Sequence, residues 1–153
     1  MNEQQKKKLD NFFVRTFNNL LSLEEIALNK SGLKNLSVRE VHVIAAVINL
    51  ESSDNNTMTQ IASSLNISVG ALTTAVNTLI RKGYLRRAAS EADRRIVLVS
   101  ATASGHAAND KHDEFHQLML EQVADVIEED DLDRLTLSLE QLSAFFESYA
   151  KKI

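Results

Sequence analysis

Among the apolar residues of the first thirty positions are Leu9, Phe12, Phe13, Phe17, Leu20, Leu21 and Leu28. The steps of three, four and seven among them keep to one side of a 3.6-residue period and predict an amphipathic helix over 3–29. Ser31-Gly32 supplies its stop, glycine being at ease in the left-handed conformation that ends helices. Ser37-Val38-Arg39-Glu40 has capping-box spacing ahead of an apolar run over 41–50, which predicts a second helix. The polar stretch 51–56 reads as a loop. Thr57-Met58-Thr59-Gln60 repeats the capping pattern before a short helix to 65. Asn66 suits a turn, Ser68 an N-cap, and Gly83 the end of a helix over 69–82. The pattern then changes. Segments 84–88 and 95–100, the second with Ile96, Val97, Leu98 and Val99, predict a β-hairpin around a charged tip at 90–94. No Asn-Gly marks a two-residue turn there. Thr102 caps a further helix carrying Phe115, Leu118, Met119, Val123, Val126 and Ile127. Four acidic residues at 128–131 break the pattern before a last helix with Leu132, Leu135, Leu139, Leu142, Phe145, Phe146 and Tyr149. The fold class is mainly α with a small β-hairpin.

Composition narrows this. A chain of 153 residues, 44 % of them hydrophobic, is one domain or one compact two-lobed unit. The absence of Cys excludes disulfides, thiolate metal sites and thiol redox sensing. The absence of Pro favours long uninterrupted helices. No apolar run approaches the ~18 residues of a membrane span. Lys6-Lys7-Lys8 is not followed by the apolar segment of a secretory signal. A soluble, cytoplasmic protein without a membrane partner is expected. Terminal helices this apolar predict pairing with a second copy. There is no Gly-rich phosphate loop, Cys nucleophile or His-Glu-x-x-His, so neither catalysis nor a cofactor is expected.

The net charge of −4 conceals a partition. Residues 57–105 hold six basic and two acidic residues, a balance of +4, while the remainder holds eleven basic and nineteen acidic, a balance of −8. A basic face within an acidic protein is the footprint of a phosphate-binding surface, although a solvated basic face has the same composition. The short helix, turn and helix over 58–82 have helix-turn-helix spacing. Ile61, Ala62, Leu65, Ile67, Leu72, Val76, Leu79 and Ile80 are expected to pack the pair. Ser68, Val69, Gly70, Ala71, Thr73, Thr74 and Asn77 are left on the outer face, which is slim and hydrogen-bonding, as entry into a ~12 Å major groove requires. The hairpin then places Arg94 and Arg95 at its tip, suited to a minor groove or to phosphates. Asp93 is placed to hold the Arg95 guanidinium in a fixed pose.

The segments SVGALTTAVNTLIRKGY (68–84) and DRRIVLVSATASG (93–105), with the order of the flanking helices, resemble the MarR family of bacterial winged-helix transcription regulators. The resemblance implies a winged helix-turn-helix lobe over 36–104 and a helical dimerisation lobe formed by 1–35 and 105–153. It implies an effector-controlled homodimer, most commonly a repressor, that reads a pseudo-palindrome of double-stranded DNA. On this reading Ser68, Thr73, Thr74 and Asn77 belong to the reading helix. Asp93 and Arg95 form the wing pair. Arg86, Arg87 and Arg94 are phosphate candidates by charge and place. Within the family, Phe17-Asn18-Asn19-Leu20, Glu24-Glu25 and Ser37-x-x-Glu40-x-His42 look like the regulators of fatty-acid synthesis in Gram-positive bacteria. That branch implies an acyl-acyl carrier protein or small-molecule effector, and a greasy tunnel lined from the first, second and fifth helices. An interaction module that binds acyl groups or protein without DNA specificity is the reading from another class.

Phe17, Glu24, His42, His112 and His116 are the effector or hinge candidates. His112 and His116 share one face of the fifth helix. Together with Glu24 and His42 they have the donor types of a tetrahedral zinc site, as in the similar-looking zinc-uptake regulators of the same family. We read them as hydrogen-bonding groups under the hinge, with no metal, and keep the zinc site as the alternative.

Overall fold

The computed structural model describes all residues except Asp54, Ala92, Lys151 and Ile153. Asp54 belongs to the predicted polar loop and Ala92 to the predicted hairpin tip, so these two positions lie outside the described residues. The elements run α1 (Glu3–Lys30), α2 (Val38–Glu51), α3 (Met58–Ser64), α4 (Val69–Arg81), β1 (Leu85–Ala89), β2 (Val97–Ala101), α5 (Ala103–Ala124) and α6 (Glu129–Ala150). Two compact units divide the chain, 1–115 and 116–153. Among the described residues no helix is long and apolar enough to cross a membrane.

Local chemistry sets the boundaries. Ser37 and Glu40 form the predicted reciprocal capping box. Asn2 and Gln5 form another at the start of α1, which the periodicity did not reveal. At α3 the box is half made. Thr57 Oγ1 accepts from Gln60 N, but the Gln60 carboxamide turns to Thr57 Oγ1 and Asn55 Oδ1. Helices α3 and α4 end in the same six-to-one turn. Asn66 (φ 53°) and Gly83 (φ 82°) take the left-handed position, and the next amides, of Ile67 and Tyr84, donate to Ala62 O and Leu79 O.

These turns shift the strands. Tyr84 is consumed by the α4 stop, so β1 begins at Leu85 rather than at 84. Arg95 and Ile96 are spent in the tip turn, where Ile96 N donates to Asp93 O, so β2 begins at Val97. The strands pair antiparallel from Leu85↔Ala101 to Ala89↔Val97, and a bridge between Thr57 and Leu98 ties the hairpin to the start of α3. Helix α5 ends at Ala124 instead of continuing through Ile127. Asp125 and the acidic run behind it would stand at the negative end of the helix dipole, where carboxylates are unfavourable.

The core lies in the first unit. Ile44, Ile61, Leu72, Val76, Leu79, Leu85 and Val99 are completely buried, so α2, α3, α4 and both strands share one apolar interior. Ile67, expected in that interior, is exposed because the Asn66 turn points it outward. Gly105 fixes the start of α5 against β1. A Cβ there would collide with Tyr84 O, a backbone atom just ahead of the strand. Thr102 Oγ1 bonds Gly83 O at 2.6 Å and accepts from Gly105 N, closing the junction. In the second unit α6 has no buried residue, and Leu135, Leu139, Phe145, Phe146 and Tyr149 are exposed.

Candidate nucleic-acid interface

Residues 66–71, which join α3 to the first turn of α4, are all exposed. Ser68 caps α4 by accepting from Ala71 N. Leu72, Val76 and Leu79 turn inward, so Gly70, Thr73, Thr74 and Asn77 form the outer stripe by helical spacing. The threonine hydroxyls are not idle. Thr73 Oγ1 donates to Val69 O at 2.7 Å and Thr74 Oγ1 to Gly70 O at 3.3 Å. With their protons committed to the helix backbone, both side chains offer the outside a methyl group and oxygen lone pairs.

The hairpin provides the charge. At its tip Arg95 meets Asp93 in a bidentate pair, with Nε donating to Oδ1 at 3.0 Å and Nη2 to Oδ2 at 2.9 Å. The Arg95 amide donates to Oδ1 as well. These bonds hold the Asp93 carboxyl below its ordinary pKa and the Arg95 guanidinium above its own. Arg95 remains 90 % exposed, so the pair adds little stability and orients an outward guanidinium. This is the arrangement expected for the wing pair. Arg86 and Arg94 are exposed, and their side chains make no hydrogen bond or ion pair with the described residues.

Arg87 differs from its neighbour. On β1 it shares a face with the buried Leu85 and stands opposite buried Val99, whereas Arg86 points the other way. Its Nη1 reaches across to α4 and donates to Asn77 Oδ1 at 2.7 Å. No helix or strand periodicity joins positions 77 and 87, so this link was not legible in the sequence.

Elsewhere in the first unit Glu24, His42 and His112 converge. Each offers a ligand atom, and these lie within 4.8 Å of one another. Glu24 Oε1 stands 3.4 Å from His42 Nε2 and 3.9 Å from His112 Nε2. The two imidazoles meet edge to face at 5.3 Å. Glu24 and His112 are buried, which is unusual for such groups unless they are paired. His116 falls in the second unit. Phe17 is 64 % exposed on α1, among other exposed apolar residues. A groove of about 340 Å³ lies between α2 and α3, lined by His42, Ala45, Ala46, Asn49, Leu50, Ser64 and Leu65.

The MarR family model matches residues 41–97, the span from α2 into β2. The structure of FabT from Streptococcus pneumoniae in complex with DNA is 31 % identical, with 94 % of this chain and 99 % of that chain covered and a TM-score of 0.85. The regulator BldR from Sulfolobus solfataricus (24 % identity, 94 % and 99 % covered, TM-score 0.68) has the same fold. So does CouR from Rhodococcus jostii RHA1 bound to p-coumaroyl-CoA (17 % identity, 92 % and 95 % covered, TM-score 0.70). A search of curated proteins gives no significant match. Near-full coverage of both chains at 31 % identity, with a winged helix-turn-helix built from the matched segment, places this chain in the MarR family of DNA-binding transcription regulators.

Proposed function

We propose that this regulator is a cytoplasmic homodimeric repressor that reads a pseudo-palindromic operator, with α4 in the major groove and the hairpin tip on the minor groove or phosphates. The observation that carries the reading is the outward Arg95 guanidinium, fixed by Asp93 beside a slim polar helix face. Ser68, Thr73, Thr74 and Asn77 face the bases. Arg86, Arg87 and Arg94 add positive charge beside them. The domain plan is a reading lobe over 36–104 and a dimerisation lobe from the two ends. The solved FabT–DNA complex supports the DNA contact. The test is gel-shift competition at moderate salt. The wild type is expected to prefer a palindromic duplex over random DNA, and Arg95→Ala to lose about tenfold of that preference, in the range of one specific contact, while oligomeric mass is unchanged. Equal binding to random DNA overturns the reading.

The effector is an acyl group, delivered on acyl carrier protein or as a small molecule, and the regulated genes are those of fatty-acid synthesis. The fatty-acid-branch motifs in α1 and α2 support this, as does p-coumaroyl-CoA, an acyl thioester, bound to CouR. Phe17, Glu24, His42, His112 and His116 are the effector and hinge residues. The effector acts only as far as it prefers one spacing of the reading helices.

One observation favours a second reading at the same residues. The 3.4 Å between Glu24 Oε1 and His42 Nε2 matches the donor separation around a tetrahedral zinc with ~2.0–2.1 Å bonds, and 3.9 Å to His112 needs a small contraction. Calorimetric titration with Zn²⁺ separates the two. Stoichiometric binding lost in His112→Ala establishes the metal site. No heat in the wild type leaves the three groups as a hydrogen-bonded hinge.

A further inference from the structure

We propose that Arg87 is a specificity-positioning residue: its bond to Asn77 Oδ1 locks the amide so that α4 presents N–H donors to the DNA at that point. The proposal rests on the reading of α4 as the helix that meets the bases.

The orientation of an asparagine amide is often ambiguous, but chemistry decides it here. A guanidinium can only donate, so the atom facing Arg87 Nη1 at 2.7 Å must be the Asn77 oxygen. The bond is charge-assisted and short. The Nδ2 group, with two hydrogens, is then the part of the amide turned away from Arg87, while the oxygen keeps one lone pair beside the guanidinium.

That changes which base Asn77 can recognise. The usual pairing of asparagine with adenine is bidentate, with the oxygen accepting from adenine N6 while the nitrogen donates to N7. With one oxygen lone pair taken by Arg87 and a guanidinium standing on that side of the amide, Asn77 is turned to meet the bases through Nδ2 and acts as a donor. It selects a base-edge acceptor in the major groove: guanine O6 or N7, thymine O4, or adenine N7. The neighbouring threonines have the opposite bias, because Thr73 and Thr74 have committed their hydroxyl protons to Val69 O and Gly70 O. One stripe of the helix therefore carries acceptors and methyl groups at 73 and 74 and donors at 77.

The fold makes this possible. Arg87 lies on the core side of β1, directly opposite buried Val99. Its stem leaves the strand toward α4, whereas Arg86 leaves from the other face and is placed for a phosphate. Two adjacent arginines are thereby given different tasks by strand alternation. The same bond couples the helix to the wing, so their relative position is held by a side chain as well as by the Gly83 turn.

The alternative for Arg87 is a plain phosphate contact, and the two roles differ in their signatures. Duplexes selected by the wild type from a random library, and single-base-pair substitutions of them, are titrated with wild type, Asn77→Ala, Arg87→Met and the double variant, each at several salt concentrations. Methionine keeps the apolar stem and removes the donor. We expect Arg87→Met to lose discrimination at the same base-pair position as Asn77→Ala, on the order of tenfold. The double variant should lose no more there than either single change, with other positions unaffected. Uniform weakening across all duplexes, with the slope of log K against log salt falling by about one and discrimination intact, makes Arg87 a phosphate contact and overturns the proposal. A wild type that selects a sequence while Asn77→Ala alters no position overturns it too, because Asn77 then reads nothing. If the wild type selects no sequence, the interface itself falls and the proposal with it.

Discussion

At the scale of single residues, paired groups do more to orient than to stabilise. Asp93 and Arg95 make a geometrically good pair in water, whose value lies in the pose it enforces. Glu40 is different because it is largely covered. Burial pushes its carboxyl up, but hydrogen bonds from Lys82 and from Ser37 outweigh that and leave it below its ordinary value near 4.5. Lys82 Nζ reaches Glu40 Oε1 at 2.7 Å and ties the end of α4 to the start of α2. A carboxyl whose folded pKa is depressed contributes stability above its unfolded pKa and loses it as pH falls through the folded one. Glu40→Gln is therefore expected to cost about 1–3 kcal/mol at pH 7. The difference in melting temperature from wild type should shrink below pH 4.5. Thermal melts at several pH values check this, and a pH-independent difference would show that the charge is not involved. The capping role of Ser37-x-x-Glu40 was legible from spacing. The bond from Lys82, forty-two residues on, was not, because spacing reports only local partners.

At the scale of elements, junctions carry the constraints. Helix α4 is stopped by Gly83, β1 follows at once, and α5 starts against the same turn through Thr102 and Gly105. Gly105→Ala would drive a Cβ into Tyr84 O, a backbone atom that cannot step aside. It is expected to cost about 1–3 kcal/mol, as overpacking does, and to lower the denaturation midpoint. Gly70→Ala is the control. Its Cβ would meet only Ser68 Oγ at 3.9 Å, and alanine favours a helix by up to about 1 kcal/mol, so stability should hold or rise. Urea denaturation of the two variants tests the contrast. Element identities were readable because caps and stops are local chemistry. The strand boundaries moved by one or two residues because a Schellman turn and a tip turn consumed positions that look like strand by composition.

For the whole molecule, the charge partition now has a location. The +4 segment contains α4 and the hairpin, while the remainder of the chain is acidic and so disfavours contact with DNA elsewhere. The chain is a DNA-binding regulator and not an enzyme. Exposed large apolar residues gather on two elements taken separately, among them Phe12, Phe17 and Leu20 on α1 and Phe145, Phe146 and Tyr149 on α6. Such faces are costly in a monomer and fit a second copy. Light scattering at micromolar concentration should give twice the 17.1 kDa chain mass. Replacing both Phe145 and Phe146 by Glu should shift that mass to one chain and abolish operator binding together. A wild type of single-chain mass would remove the dimer from the mechanism.

By itself the sequence determined the order of elements, the helix-turn-helix, the wing and the Asp93–Arg95 pair. Each depends on residues a few positions apart, where periodicity, caps and charge act directly. The tertiary structure alone decided which distant side chains meet. It brought Glu24, His42 and His112, grouped beforehand only through the family resemblance, together from three helices. It also turned Arg87 toward Asn77 while Arg86 faces away. Such meetings are set by how helices and strands pack around a shared core, and no one-dimensional spacing encodes that packing.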